Sequence, residues 1–385
     1  MNAHDAVDVV ALGESMVTFL PSCAGRLADV PSFDRAIGGA ESNVACGLAA
    51  AGHAVRWVSR VGADGFGDHL VETVGGYGVD VSSVGRDPSR PTGVYFRTAG
   101  DRATAAHEVA YYRAGSAASA MSVENVDLAA VRAGRVLHLS GITAALSDTC
   151  LELVRELTAS GAERPLVSFD VNHRTGLWRD AAGPRVLLEL ARQADIVFVG
   201  EDEAEEAWGV TGGAAAIRAV LPEPSVLVVK QGGRGATAFV SDAAEWRPVA
   251  PRGGAAHRRS PAPLKGRSRH TDPAAASEPH PRPATAPGLF VPALAVDVVA
   301  TTGAGDAFAA GFLSATLRDL PLRDRLRHGH LWAAAALTVP GDLAAPPSRP
   351  HADRLAAVAD DTWGTLRLGP GWTQADPAPE EVRTP

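Results

Sequence analysis

The chain has 385 residues, is rich in Ala, Gly and Val, and carries a net charge of −8. Its length accommodates one large α/β domain with additions, or two domains, and its mild acidity argues against nucleic acid or an anionic membrane surface as a partner. Cys23, Cys46 and Cys150 are odd in number and lack metal-ligand spacing, which favours a reduced cytosol. The opening MNAHDAVDVV has no signal-peptide pattern and no apolar run is long enough to span a bilayer, so a soluble, cytoplasmic protein is expected.

In chain order, Asp8 to Leu12 reads as a short buried strand broken by Gly13-Glu14-Ser15. Ile37 to Gly52 is a glycine turn leading into an Ala-rich helix, with Asn43 in its first turn. Strand and helix then alternate: strand 56–61 with a helix to about 77, strand 136–140 with helix 148–160, and strand 166–170 with helix 181–194. Strand 196–199 with helix 202–208 follows, and then a strand from 226 that ends in glycines. This rhythm predicts an α/β fold with a doubly wound, mostly parallel sheet. Ligands gather at the carboxyl ends of such strands, where Gly13, Ser140, Asp170, Gly200, Lys230 and Thr301 are expected.

Three stretches break the rhythm. Residues 92–97 and 108–113 flank the polar loop Gly100–His107 with no helix between, so they should pair as an antiparallel hairpin. That hairpin reads either as a flap over the site, completed by the Gly25 to Arg35 region, or as an edge hairpin with its own aromatic core. Residues 251–288 are dense in Pro, Arg and His, with seven basic residues against two acids, and read as a disordered insertion. The end of the chain after Gly369 reads as a disordered tail over 370–385. The resulting division is one domain over 5–366 with a small β lid from about 14–35 and 91–115.

The most informative stretch is Val298 to Phe312, V-V-A-T-T-G-A-G-D-A-F-A-A-G-F. Val296, Val298 and Val299 suggest the end of a buried strand, Thr301 to Gly305 a tight turn, and Asp306 onward a helix. A helix beginning at a glycine turn aims unpaired N–H groups and the positive end of its dipole at an anion. Asp306 stands at that anion site, where it serves either as a helix cap or as a base. Lysine occurs only at 230 and 265, the other 34 basic residues being arginine, and neither lysine lies in Gly-Lys-Ser/Thr. A Walker-type phosphate loop is therefore absent, as are the protein-kinase motifs.

Gly38-Gly39-Ala40 with Asn43, G-A-D-G-F-G-D from Gly62, V-V-K-Q-G-G-R-G-A from Val228 and T-T-G-A-G-D-A-F-A-A-G-F from Thr301 occur in this order. Together they resemble the ribokinase-like (PfkB-type) carbohydrate kinases from about Asp8 to Pro346. The resemblance implies ATP-dependent phosphorylation of a sugar hydroxyl with Mg2+, and a monovalent cation is a candidate to tune the site. It implies Asp306 as the catalytic base and the backbone of Gly303, Ala304 and Gly305 as an anion hole. Gly38, Gly39 and Asn43 would face the sugar, while Lys230, Gly232, Gly235 and Thr301 would face the nucleotide. Adenine would sit against the 328–342 stretch, where alanines at 333–336 leave room. The chain departs from the family in having Ala300 where Asp is frequent. It also has Gly200-Glu201-Asp202-Glu203 where Asn-x-x-Glu is frequent, which keeps Glu203 as the metal candidate or as a first-turn helix acid.

Ser168 to Trp178 and Tyr111 to Ser119 resemble the 2-keto-3-deoxygluconate kinase branch. That resemblance implies a sugar acid held by Arg113 and Arg174, with Tyr95, Tyr111 and Asp170 beside them. Guanidinium forks suit a carboxylate. The alternatives are a kinase of a neutral sugar such as fructose or ribose, a nucleoside kinase, or a protein that binds sugar or nucleotide without turnover. A small-molecule substrate and a homo-oligomer are the expected partners.

Overall fold

The structure is a computed structural model that describes residues 7–98, 108–161, 164–178, 182–241 and 287–374. Strands buried on both faces need near-continuous runs of Val, Ile and Leu, and the sequence supplies them at β1 (Val7–Leu12), in which every residue is buried. β2 (Met16–Pro21) and β3 (Phe33–Gly38) follow, then β4 (Val55–Gly62), β5 (Val84–Asp87), β6 (Val94–Arg97) and β7 (Val109–Tyr112). The central strands are β8 (Gly134–Ser140), β9 (Leu166–Asp170), β10 (Ile196–Gly200) and β11 (Val226–Lys230). β12 (Gly235–Val240), β13 (Leu289–Pro292), β14 (Ala295–Val296) and β15 (Arg367–Leu368) complete the set.

Nine strands form one sheet in the order β13-β12-β11-β10-β9-β8-β1-β4-β5. From β11 to β5 every neighbouring pair is parallel, and only β12 is reversed, pairing antiparallel with β11 and with the edge strand β13. The doubly wound sheet expected from the alternation is the one observed. Alternate residues of β10 separate the two cores: Phe198 packs on one face with Trp57, Phe312 and Trp332, while Val197 and Val199 pack on the other with Leu137, Leu153 and Phe169. Helices begin where side chains cap them. Asp64 accepts from the N–H of Phe66 and Gly67 at the start of Gly65–Gly76, and Ser147 accepts from Cys150 N at the start of Asp148–Thr158. Among the described residues no helix is long and apolar enough to cross a membrane.

A second, four-stranded sheet has the order β3-β2-β6-β7, with β6 and β7 paired antiparallel. The expected hairpin is thus present, its partner strands being Met16–Pro21 and Phe33–Gly38. Aromatic side chains cluster on this sheet, where Phe19 stacks on Phe96 at 4.6 Å between centroids and Phe33 meets Phe96 edge-on.

Two expectations near the C-terminus need correction. No buried strand precedes the Thr301 turn: Val298 and Val299 are 55% and 49% exposed, and β14 is a two-residue strand paired with β15 outside the main sheet. Thr301 therefore does not end a strand of that sheet. The chain does not lose order at 370 either, because Trp372–Gln374 forms a 3-10 turn in which Trp372 lies 5.8 Å from the His351 ring. The loop 100–107, nearly all of the 251–288 insertion and residues 375–385 lie outside the described residues.

Phe198 joins the sheet to the Ala304–Leu317 helix, with its ring edge-to-face on Phe308 and Phe312 at 6.4 and 5.4 Å. Phe198→Ala is expected to cost about 3–5 kcal/mol of folding stability, measured by urea unfolding. A loss below about 1 kcal/mol would show that this joint does not hold the helix.

Candidate active site

The carboxyl ends of the parallel strands bring Gly13, Gly62, Ser140, Asp170, Gly200 and Lys230 to one rim of the sheet. The Ala40–Ala50 and Ala304–Leu317 helices lie over the same sheet face and start at this rim. Gly303 takes φ +79°, and a Cβ there would fall 2.0 Å from the carbonyl oxygen of Asp342, so only glycine fits the turn. The helix then starts at Ala304, two residues before the expected start. By helix geometry its first N–H groups have no acceptor within the helix.

Asp306 occupies the first turn, half-buried, and its Oδ2 accepts a 2.8 Å hydrogen bond from Asn43 Nδ2. Burial drives its carboxyl pKa up to about 7; Asp170 adds to the rise, while Asn43, Lys230 and Arg174 oppose it. A carboxyl poised near neutrality can exchange a proton with a substrate hydroxyl. The Oδ1 of Asn43 is buried without a hydrogen-bond partner, which leaves an acceptor beside the acid.

Lys230, at the end of β11, donates to both oxygens of Asp170 at 3.0 Å. Burial disfavours the ammonium, but Asp170 and Glu203 outweigh it and raise the Lys230 pKa. Lys230 also lines a cavity of about 490 Å3, as do Gly232, Gly235 and Thr301. All four residues assigned to the nucleotide from sequence thus share one cavity, and Ala304 and Gly305 of the helix turn line it as well. His330, Ala333, Ala334 and Leu337 form its far wall, so the expected alanines at 333 and 334 border it.

The residues assigned to the sugar are more heavily paired than the sequence suggests. Arg113 forms a short ion pair with Glu14 and lies 5.8 Å from the Tyr111 ring. Arg174 Nη1 lies 3.6 Å from Glu203 Oε1, while Asp170 is engaged by Lys230. Glu203 gives its other oxygen to the Gly200 N–H at 2.8 Å, the arrangement of a first-turn helix acid. Tyr95 is buried and donates its hydroxyl to Asp342 at 2.6 Å. Gly38 and Gly39 are packing glycines: a Cβ on the first would fall 2.3 Å from the Tyr95 hydroxyl, and on the second 2.4 Å from the Glu14 carbonyl.

Sequence reasoning missed three residues here. Glu14 holds Arg113 and accepts from Ser116 at 2.6 Å. Glu41 is fully buried, accepts from Ser140 and Thr143 at 2.7 Å, and has its pKa raised by burial. Asp342 receives Tyr95 and also Arg97, at 3.2 Å. Their partners lie 99 or more residues away for Glu41 and 245 or more for Asp342, so local patterns carry no trace of them. Only the placement of Glu14 and Glu41 beside glycine turns was available as a signal.

A family model described as pfkB family carbohydrate kinase matches residues 6–253 and 274–349. A 2-dehydro-3-deoxygluconokinase of Thermoproteus tenax is 30% identical over 92% of this chain and 95% of its own length. A probable chloroplastic fructokinase of Arabidopsis thaliana is 29% identical over 86% of this chain and 77% of its own. The structure of an uncharacterized sugar kinase from Pyrococcus horikoshii, in complex with ATP, superposes with a TM-score of 0.68 over 89% of this chain and 96% of that one. At 22% identity, that last likeness is one of fold.

The two glycines of the turn should respond differently to alanine. Gly303→Ala meets both a positive φ and the Asp342 carbonyl, whereas a Cβ on Gly305 meets only Lys230 Nζ, at 3.6 Å. Gly303→Ala is expected to destabilise by about 1–3 kcal/mol and Gly305→Ala to melt at or above the parent temperature. Equal melting temperatures would refute this account of the turn.

Proposed function

Because this chain belongs to the pfkB family of carbohydrate kinases and is a phosphotransferase acting on a sugar hydroxyl, we propose ATP as its donor and a sugar acid as its acceptor. The acceptor we infer is 2-keto-3-deoxygluconate, the compound also called 2-dehydro-3-deoxygluconate, which would become the 6-phosphate. The observation that carries the chemistry is the position of Asp306, in the first turn of a helix whose start lines the 490 Å3 cavity and with Asn43 fixing one carboxylate oxygen. Phosphoryl transfer demands alignment and donors for the equatorial oxygens, and the N–H groups at Ala304, Gly305 and Asp306 are such donors. The acceptor hydroxyl gives its proton to Asp306 as its oxygen bonds to phosphorus.

Mg2+ binds through phosphate oxygens and water with one or two carboxylates. Glu203 has one oxygen on the Gly200 N–H and the other beside Arg174, and Asp170 is engaged by Lys230. These residues fit an ion carried on the triphosphate better than one caged by protein. When bound, the ion would neutralise negative charge on the phosphate oxygens.

The sugar-acid assignment rests on Arg113 and Arg174. A guanidinium has five donors, so one acidic partner does not exhaust it, and Arg113 Nε is buried with no hydrogen-bond partner. One observation favours a neutral sugar instead: Glu14 and Glu203 already balance the two positive charges. Turnover of sugar acids and neutral sugars with ATP separates these readings. Arg113→Ala and Arg174→Ala should each raise the KM for the sugar acid by about tenfold or more, from about 1.5–3 kcal/mol per charged hydrogen bond. An unchanged KM in both variants overturns the sugar-acid assignment.

Asp306→Asn should lower kcat by about 10²–10⁴ while the KM for ATP stays within a few-fold. The pKa of Asp306 is raised to about 7, so the proton-accepting form predominates only above that pH. The kcat/KM of the parent enzyme should therefore fall as pH drops through about 7. Activity that is flat from pH 5.5 to 8 would rule out Asp306 as the titrating base.

A further inference from the structure

Lys230 is the only lysine among the described residues, and it stands at the end of the strand nearest the anion turn. Its ammonium is held from behind by both oxygens of Asp170, whose side chain is 4% exposed, while Lys230 itself is 19% exposed and borders the cavity. The methyl of an alanine at 305 would lie 3.6 Å from its Nζ. The space between that nitrogen and the first turn of the helix is therefore about one atom deep. An ammonium has three donors in rotatable positions, and the bifurcated contact with Asp170 leaves donor capacity facing the cavity.

The site needs such a charge. Asp170 and Asp306 act on one another, each near the place where an anion must be received, and two carboxylates there would repel a phosphoryl group. Lys230 interacts with both and with Glu203. The groups facing Asp306 are Asn43 from the Ala40–Ala50 helix, Asp170 from β9, Arg174 from the loop after β9 and Lys230 from β11.

We propose that Lys230 is a catalytic residue whose ammonium, anchored by Asp170, donates a hydrogen bond to the phosphoryl group as that group passes from nucleotide to sugar. Asp170 is then a positioning residue rather than a ligand of the sugar. This rests on the kinase reading above. In the transfer step the sugar oxygen bonds to phosphorus, its proton goes to Asp306, and the bond to the bridging oxygen breaks with its electron pair leaving on ADP. Lys230 keeps all its protons throughout.

The test compares Lys230→Met, Asp170→Asn and the double variant with the parent, using calorimetric binding of ADP and of the β,γ-imido analogue of ATP alongside kcat. Lys230→Met should lower kcat by about 10²–10³, the effect of removing one preorganised donor. It should weaken the analogue by about tenfold or more and leave ADP within about twofold, because the contact is to the terminal phosphoryl. Asp170→Asn should lower kcat less, and its effect should nearly vanish in the Lys230→Met background, as for residues that act through one another. If Lys230→Met misfolds around an uncompensated Asp170, the double variant removes both charges and carries the same nucleotide readout. Equal weakening of ADP and the analogue, or an unchanged kcat, overturns the proposal. A parent protein that binds neither nucleotide refutes the kinase reading itself, and this proposal with it.

Discussion

Asn43 and Asp306 are 263 residues apart in the chain and 2.8 Å apart in space. That hydrogen bond joins the first turns of two helices lying on one face of the sheet, and the candidate site is arranged around it. A carboxylate in this position is expensive to ionise: packing raises its pKa from 3.8 to about 7. The folded protein thus binds the proton of Asp306 more tightly than the unfolded chain does, and its share of stability declines as pH rises between those values. The ionised form, which can take a proton from an alcohol, is the form the fold favours least. Asn43, the helix N-terminus and Lys230 limit that penalty.

Parallel topology explains how these groups meet. Each strand of a parallel sheet delivers its last residue to the same edge, so Asp170, Gly200 and Lys230 converge although 60 residues separate the first from the last. The helices that follow begin at this edge and point their amide groups along it. Chemistry needs few residues here because the architecture gathers them. Every other basic side chain in the described residues is arginine or histidine, which marks out the single flexible point charge at the rim.

Much of this was legible in the sequence. Strand and helix alternation gave the sheet, because apolar runs of five or six residues between amphipathic stretches leave few other arrangements. The glycine turn before Asp306, Asn43 in its helix, and the glycines after Lys230 were legible because each has a local conformational reason. What could not be read was pairing over distance. Arg113 pairs with Glu14 and Arg174 with Glu203, and no periodicity reports which acid an arginine finds. Val298 and Val299 misled for a related reason: residue type suggested a strand, while the chain passes there as an exposed connection between a two-residue strand and the turn.

Asp342 belongs to neither the main sheet nor the small one, yet it touches both working parts. Its carboxylate receives Tyr95 and Arg97 from strand β6 of the small sheet, and its carbonyl lies against Gly303 with no room for a methyl group between them. The small sheet and the glycine turn are thereby linked through one residue. Any excursion of β6 that strips two donors from this buried acid also loosens the backing of the glycine turn. A change at 342 would consequently be felt in two places at once, in the small sheet and in the turn that precedes Asp306.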